Sequence, residues 1–252
     1  MTDYLMVHDA GQSAWFWNKV WGYMTAPREH PPRLYRHHNS SNNQLLNLPG
    51  HGADERGDTG DVRLEECLNA ITGTVERLGL RDLVLVGHGL GGLLALQAAA
   101  QLPSPPRRVV LIAGLVPVHR KSILSLYPGQ VRRHFSSPLK LGRLLGWEHR
   151  LGPSFIARQL CNGMEPRDIH QSLGFYGPLP TQMLESRVAL PLSTGLCPVS
   201  YLVLDRDRLT PPRLQLAMAS RIPGVEVAHL DSCHQAQLHI PRQLADTLLG
   251  WA

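Results

Sequence analysis

The chain has 252 residues and is 43% hydrophobic, which suits one α/β domain with a sizeable core and an inserted subdomain and excludes two independent domains. Its net charge of +5 comes from scattered arginines with no basic run interleaved with aromatics, so no nucleic-acid partner is expected. The four cysteines, Cys67, Cys161, Cys197 and Cys233, form no CxxC pair, which argues against a zinc site or a disulfide framework and for reduced thiols.

Short apolar runs alternate with longer helical patterns, the rhythm of a mostly parallel sheet of about six strands flanked by helices. In chain order the predicted strands are Tyr4 to Val7, Gln44 to Leu48, Leu83 to Val86, Val109 to Ile112, Val199 to Leu204 and Val225 to His229. Predicted helices cover residues 13–24, 63–79, 90–101, 211–221 and 235–251, where apolar positions recur three or four apart. Two segments break the rhythm. Residues 26–43, rich in proline, basic residues and asparagine and containing His37-His38, read as a long surface loop. Residues 115–195 mix Pro, Gly and short amphipathic pieces between two core strands, so a helical cap is expected there, with residues 1–114 and 196–252 forming the core. The N-terminus MTDYLMVHDAG carries no basic-then-apolar leader, and no run approaches the roughly eighteen apolar residues of a membrane span, so a soluble cytoplasmic protein without a membrane partner is expected.

The stretch VGHGLGG, residues 86–92, lies between an apolar strand and a small-residue helix pattern. That is the setting of a GxSxG nucleophile elbow, whose serine occupies a strained turn between small residues. Here the apex is Gly89. Glycine tolerates the strained backbone but offers no hydroxyl, so no covalent seryl intermediate can form.

With VHDAGQSAWFW at the first strand, NLPGHGADERG after the second, VGHGLGG, LDRDRLTPP and DSCHQAQLHIP in this order, the chain resembles the α/β-hydrolase superfamily, and within it the small esterase and hydroxynitrile-lyase branch. The resemblance implies an acid after a late strand and a histidine after the last one, which fall on Asp207 and His234. Asp205 is the competing acid. Asp207 is preferred because the resembling sequences place the acid just before the turn into the helix start, here Pro211-Pro212. The resemblance also implies an oxyanion hole from the backbone N–H groups of Leu90 and Ala10, a loop-bracing role for His51 and a packing role for His88 beneath the sheet.

The family commonly has His-Gly where this chain has His8-Asp9. Asp9 therefore reads either as a general acid or base beside the oxyanion hole, its pKa raised by burial near Trp15 and Trp17, or as a turn aspartate facing solvent. Trp15, Trp17, Phe135, Trp147, Phe155, Phe175 and Tyr176 are candidate lining for an apolar pocket under the cap.

These features support three functions. The first is a non-covalent enzyme that keeps His234 and Asp207 for elimination, cyclisation, isomerisation or water-mediated hydrolysis of a small, mostly apolar carbonyl compound, free or carrier-bound, of the kind found in specialised metabolism. The second is an ordinary serine esterase carrying a Ser-to-Gly change at position 89, and the third a non-catalytic ligand-binding protein. No cofactor is expected, because neither a phosphate-cradling lysine loop nor a dinucleotide fingerprint is present.

Overall fold

A computed structural model describes residues 2–26, 43–52, 59–119, 121–135, 148–191 and 197–251. Six strands, β1 (Asp3–Val7), β2 (Asn43–Leu46), β3 (Leu83–His88), β4 (Arg108–Ile112), β5 (Val199–Leu204) and β6 (Glu226–Leu230), form one sheet in the order β2-β1-β3-β4-β5-β6. Every pairing is parallel. The chain therefore builds outward from β1 in one direction and, from β3 onward, in the other. The crevice beyond the carboxyl ends of strands at such a reversal is where open α/β sheets bind ligands.

Alternation along the strands sends side chains to two cores, one on each face. Leu5, Val7 and Leu85 pack with Ile71 of α2 (Leu64–Leu78) and Leu93 of α3 (Leu90–Ala99). Tyr4, Met6, Val84 and Val86 pack on the other face with Val20 of α1 (Asn18–Thr25) and Leu244 and Leu248 near the C-terminus. With both faces covered, parallel strands read as continuous apolar runs.

The predicted strands are found with shifted ends. β3 continues to His88 because pairing with β4 extends to His88 and Ile112, past the end of the apolar run. β2 stops at Leu46, where its pairing with Val7 ends, instead of reaching Leu48. The helix expected over residues 235–251 divides into two pieces, Ala236–His239 and Pro241–Gly250, because proline cannot donate to the preceding turn and instead starts a new helix.

Between β4 and β5 the described chain holds helical segments and a single antiparallel bridge, Ser122 to Arg187. They include residues 129–135, Pro153–Leu160, α4 (Pro166–Phe175) and α5 (Thr181–Glu185). This insertion is tied to the sheet's loops: the Gly177 N–H donates to Gly11 O at 2.7 Å, the Tyr176 hydroxyl to Ala10 O at 2.9 Å, and the Gln235 N–H to Leu160 O at 3.1 Å. The bulk of the loop expected over residues 26–43, with His37-His38, lies outside the described residues, as does Trp147. Among the described residues no helix is long and apolar enough to cross a membrane.

Candidate active site

Sheet register explains why distant positions meet. Val7 pairs with Gly87, so the chain leaving β1 at Asp9 and the chain leaving β3 at Gly89 emerge side by side. At the other end Leu204 pairs with Leu230, which sets Asp207 and His234 in neighbouring loops. The turn after β3 is sharp: Gly89 has φ +52° and ψ −117°, a conformation L side chains rarely adopt, and α3 begins at the next residue. A Cβ on Gly91 would lie 2.5 Å from the carbonyl oxygens of Val7 and His8, so glycine there lets α3 press against the β1 exit.

Three side chains form a continuous chain. Asp207 Oδ2 accepts from His234 Nδ1 at 2.7 Å, and His234 Nε2 meets Asp9 Oδ2 at 3.0 Å. All three residues are at most 2% exposed. Asp207 is further held by the Thr210 N–H at 2.9 Å on Oδ1 and by Gln215 Nε2 at 3.3 Å on Oδ2. The other carboxyl oxygen of Asp9, Oδ1, accepts the Leu90 N–H at 2.5 Å. Asp9 thus sits on the N-terminus of α3, where unsatisfied N–H groups and the helix dipole favour an anion.

The electrostatics follow from this contact set. Burial alone disfavours a charged His234, but the charge and hydrogen bond of Asp207, with the hydrogen bond and charge of Asp9, raise its pKa to about 10, so the ring is an imidazolium at neutral pH. Burial likewise opposes an ionised Asp9. The His234 hydrogen bond and charge, with smaller parts from nearby His88 and the Leu90 N–H, outweigh it and hold the carboxyl below its ordinary value. For His8 and His88 the pull of Asp9 is too small to offset burial. Burial, reinforced by neighbouring histidines, lowers each to about 3, and both are neutral. Among the described residues, Asp9, His88 and His234 are the group of ligand-type atoms that converges, all within 4.8 Å of one another. A cation there would have to displace the proton that His234 shares with Asp9.

The structure brings Asp9, Asp207, His234, Gly89 and Leu90 together and corrects several expectations. Asp9 is 1% exposed, so it is no solvent-facing turn residue, and its pKa is lowered, because an imidazolium and a helix N-terminus outweigh burial. The Leu90 N–H is already bonded to Asp9, so it is no open oxyanion donor in this conformation, while the Ala10 carbonyl beside it accepts the Tyr176 hydroxyl. Asp205 pairs with His229 at 2.8 Å on the surface, away from His234. Trp17 is fully buried in the core with Tyr4, Met6 and Val20, on the sheet face opposite α2 and α3, away from the other aromatic candidates. Trp15 and Phe175 stack at 3.9 Å and, with Tyr176, Gln12, Asn47 and His51, line a cavity of about 630 Å³. Phe135 is buried edge-on to Tyr127 at 5.3 Å. His88 lies with its ring 4.5 Å from that of His234, and His51 Nδ1 meets Pro49 O at 2.9 Å.

Sequence reasoning missed the braces. His8 uses both nitrogens, one on Asp9 O at 2.8 Å and one accepting the Leu48 N–H at 3.1 Å, and so fixes the backbone that carries Asp9. Gln12 donates from Nε2 to Gln235 Oε1 at 2.9 Å, linking the β1 loop to the His234 loop. Gln215, fully buried, holds Asp207 and the Leu204 backbone. Tyr127 is buried against the site: burial first, then the charges of Asp9 and Asp207, push its phenol well above the ordinary value and keep it a proton donor. For Gln215 the available signal was a polar residue on a helix, which sequence alone does not separate from a surface position; the other braces lie in loops and turns.

Along almost its whole length the chain is similar to Methylesterase 9 of Arabidopsis thaliana, 25% identical over 262 residues covering 99% of this chain and 97% of the relative. Among solved structures it is similar to an extracellular alpha/beta-hydrolase from a Paenibacillus species, TM-score 0.83 at 19% identity over 100% and 99% of the two chains. It is also similar to tomato methylketone synthase I complexed with 2-tridecanone, TM-score 0.72 at 20% identity over 99% and 96%. The esterase relative supports an enzyme with hydrolase-type activity. Residues 4–246 match the alpha/beta hydrolase family, and with the sheet order and the strand-end site described above, the chain belongs to that family.

Proposed function

We propose that this protein is an enzyme that works by proton transfer through His234, oriented by Asp207, on a small, mostly apolar carbonyl compound, without a covalent intermediate at residue 89 and without a cofactor. The observation that carries this reading is the position of Asp9. A side chain on Gly89 would run into the Asp9 carboxyl group, with its Cβ 2.6 Å from Oδ2. The space of a nucleophilic hydroxyl is therefore filled by a carboxylate that makes both bonds expected of the serine machinery, one to the histidine and one to the helix N-terminus.

Asp9 is the group the substrate meets, and His234 exchanges a proton with it. An imidazolium between two carboxylates delivers a proton to a developing enolate or alkoxide, and the freed carboxylate takes one from a carbon beside a carbonyl or from water. Tomato methylketone synthase I, bound to 2-tridecanone in the solved structure, supports an alkyl carbonyl compound as the substrate class.

The same observation weighs against a serine hydrolase altered only at residue 89, since a serine there would need Asp9 to leave. It also weighs against a passive binder, which has no need of a buried His234 held from both sides. The test is turnover of β-keto acids and simple esters by the wild-type protein and by His234→Ala. Turnover that His234→Ala abolishes supports the proposal. Turnover unaffected by that change, or ligand binding with no turnover in either protein, contradicts it.

A further inference from the structure

We infer that Asp9, His88 and His234 form a binding site for one divalent transition-metal ion of the zinc type, and that the bound ion silences proton transfer by Asp9 and His234. The site goes beyond the proposed function and stands without it; only the silencing rests on that reading.

Three ligand atoms, one from each residue, lie within 4.8 Å of one another, and all three residues are at most 1% exposed. Tetrahedral ligands held about 2.0–2.1 Å from zinc stand about 3.4 Å apart. His234 Nε2 and Asp9 Oδ2, 3.0 Å apart, are close to that spacing, so small side-chain shifts admit the ion. Two imidazoles and one carboxylate are the donors of a borderline ion, whereas magnesium and calcium prefer sets of oxygens.

Each ligand is already aimed by a second contact, as metal-binding side chains are. His234 Nδ1 is anchored on Asp207 Oδ2 at 2.7 Å, the carboxylate–histidine arrangement that presents Nε2 to a metal. Asp9 Oδ1 accepts the Leu90 N–H at 2.5 Å and leaves Oδ2 for the ion. His88 Nδ1 lies 3.4 Å from Gln12 Oε1, and its Nε2 is buried with no hydrogen-bond partner. A buried ring nitrogen without a partner costs free energy that coordination would offset. The proposed proton transfer gives His88 no task, and the ion does. Gln12 touches both His88 and the cavity of about 630 Å³ beside Trp15 and Phe175, which gives an ion a route inward.

Binding exchanges one cation for another. The ion takes the Nε2 lone pair of His234 and Oδ2 of Asp9, and the proton those atoms share leaves to solvent. With both atoms coordinated, neither delivers nor accepts a proton.

The test titrates the full chain with zinc chloride by calorimetry, with magnesium chloride as control, and records the zinc X-ray absorption spectrum of the complex. One equivalent of zinc should bind, magnesium should not, and the spectrum should show two imidazoles with oxygen and no sulfur. His88→Gln and Asp9→Asn, each checked by thermal melt, should bind zinc at least about a hundredfold more weakly, because outer-shell losses alone cost up to about a hundredfold. Absence of stoichiometric binding, sulfur in the spectrum, or unchanged affinity in both variants, which would put the ion on other histidines, overturns the site. Should a variant fail to fold, the wild-type spectrum decides. Zinc-loaded wild-type protein should turn over at least about a hundredfold more slowly, the loss expected when a positioned acid or base is removed, and recover with a chelator. An unchanged or faster rate overturns the silencing. Zinc binding is read without substrate, so failure of the site and failure of the proposed function are separate results.

Discussion

Asp9 and Gly89 occupy one space between them: the carboxyl group of the first lies where the side chain of any other residue at the second would have to be. The pairing is enforced by the parallel register of β1 with β3, which brings both chain exits to the same level. A single change at either position therefore cannot be read alone.

Gly89→Ser should not create an esterase. The new side chain meets the Asp9 carboxyl and stands at φ +52°, which costs about 1–3 kcal/mol of strain before any clash is counted. A lowered thermal midpoint with no gain on p-nitrophenyl esters is expected. Combining Asp9→Gly with Gly89→Ser frees both the space and the Leu90 N–H, so ester hydrolysis should appear in the double variant, measured as an acyl-enzyme burst.

Replacing His234 by alanine should lower turnover by about a hundred- to ten-thousand-fold, the usual range for losing a positioned acid or base. It also leaves Asp9 and Asp207 buried with no cation between them, and breaking a buried pair in this way costs about 3–5 kcal/mol. Denaturant unfolding of the variant should show that loss at neutral pH. The loss should shrink in acid, where the two carboxyls can protonate.

The pH dependence of stability has two distinct parts. For His8 and His88 the folded pKa, about 3, lies below the unfolded value of 6.5, so the stability tied to their neutral forms is complete above pH 6.5 and falls as pH drops toward 3. His234 runs the other way. Its folded pKa of about 10 lies above 6.5, so its contribution is complete below 6.5 and is lost as pH rises through about 10. Thermal melts across pH should show a maximum near neutrality with shoulders on both sides, and His88→Gln should flatten the acid shoulder.

Gln215→Leu should act through Asp207. It removes the Nε2 donor 3.3 Å from Asp207 Oδ2 and leaves the Leu204 N–H without its side-chain acceptor, a loss of about 1–3 kcal/mol in stability. The kcat should fall with KM little changed, and the basic limb of the pH–rate profile should move. Gln215→Glu, which keeps the Leu204 acceptor but sets a second carboxyl beside Asp207, should move that limb to higher pH, which a merely structural defect would not do.

Much of this site was legible before any coordinate. The apolar runs marked all six strands, most clearly β1, β3, β4 and β5, which are covered on both faces and carry no polar alternation to confuse them. The elbow at Gly89 and the pairing of Asp207 with His234 followed from motif order. The direction of the Asp9 pKa did not follow, since burial near tryptophans was visible in VHDAGQSAWFW while the imidazolium contact, 225 residues away in sequence, was not. Trp17 was misplaced because it stands just before α1, whose inward face meets the opposite side of the sheet, while its immediate neighbour Phe16 packs with the other core. The buried glutamines at 12, 215 and 235 look in the sequence like surface positions.

The most direct test of the central claim is the titration of the His234 ring by nitrogen–proton NMR in the wild-type protein and in Asp9→Asn. The account predicts an imidazolium at neutral pH that gives up its proton near pH 10 in the wild type and at clearly lower pH in the variant. A ring that is neutral at pH 7.5, or one whose titration is unchanged when Asp9 becomes asparagine, would contradict it.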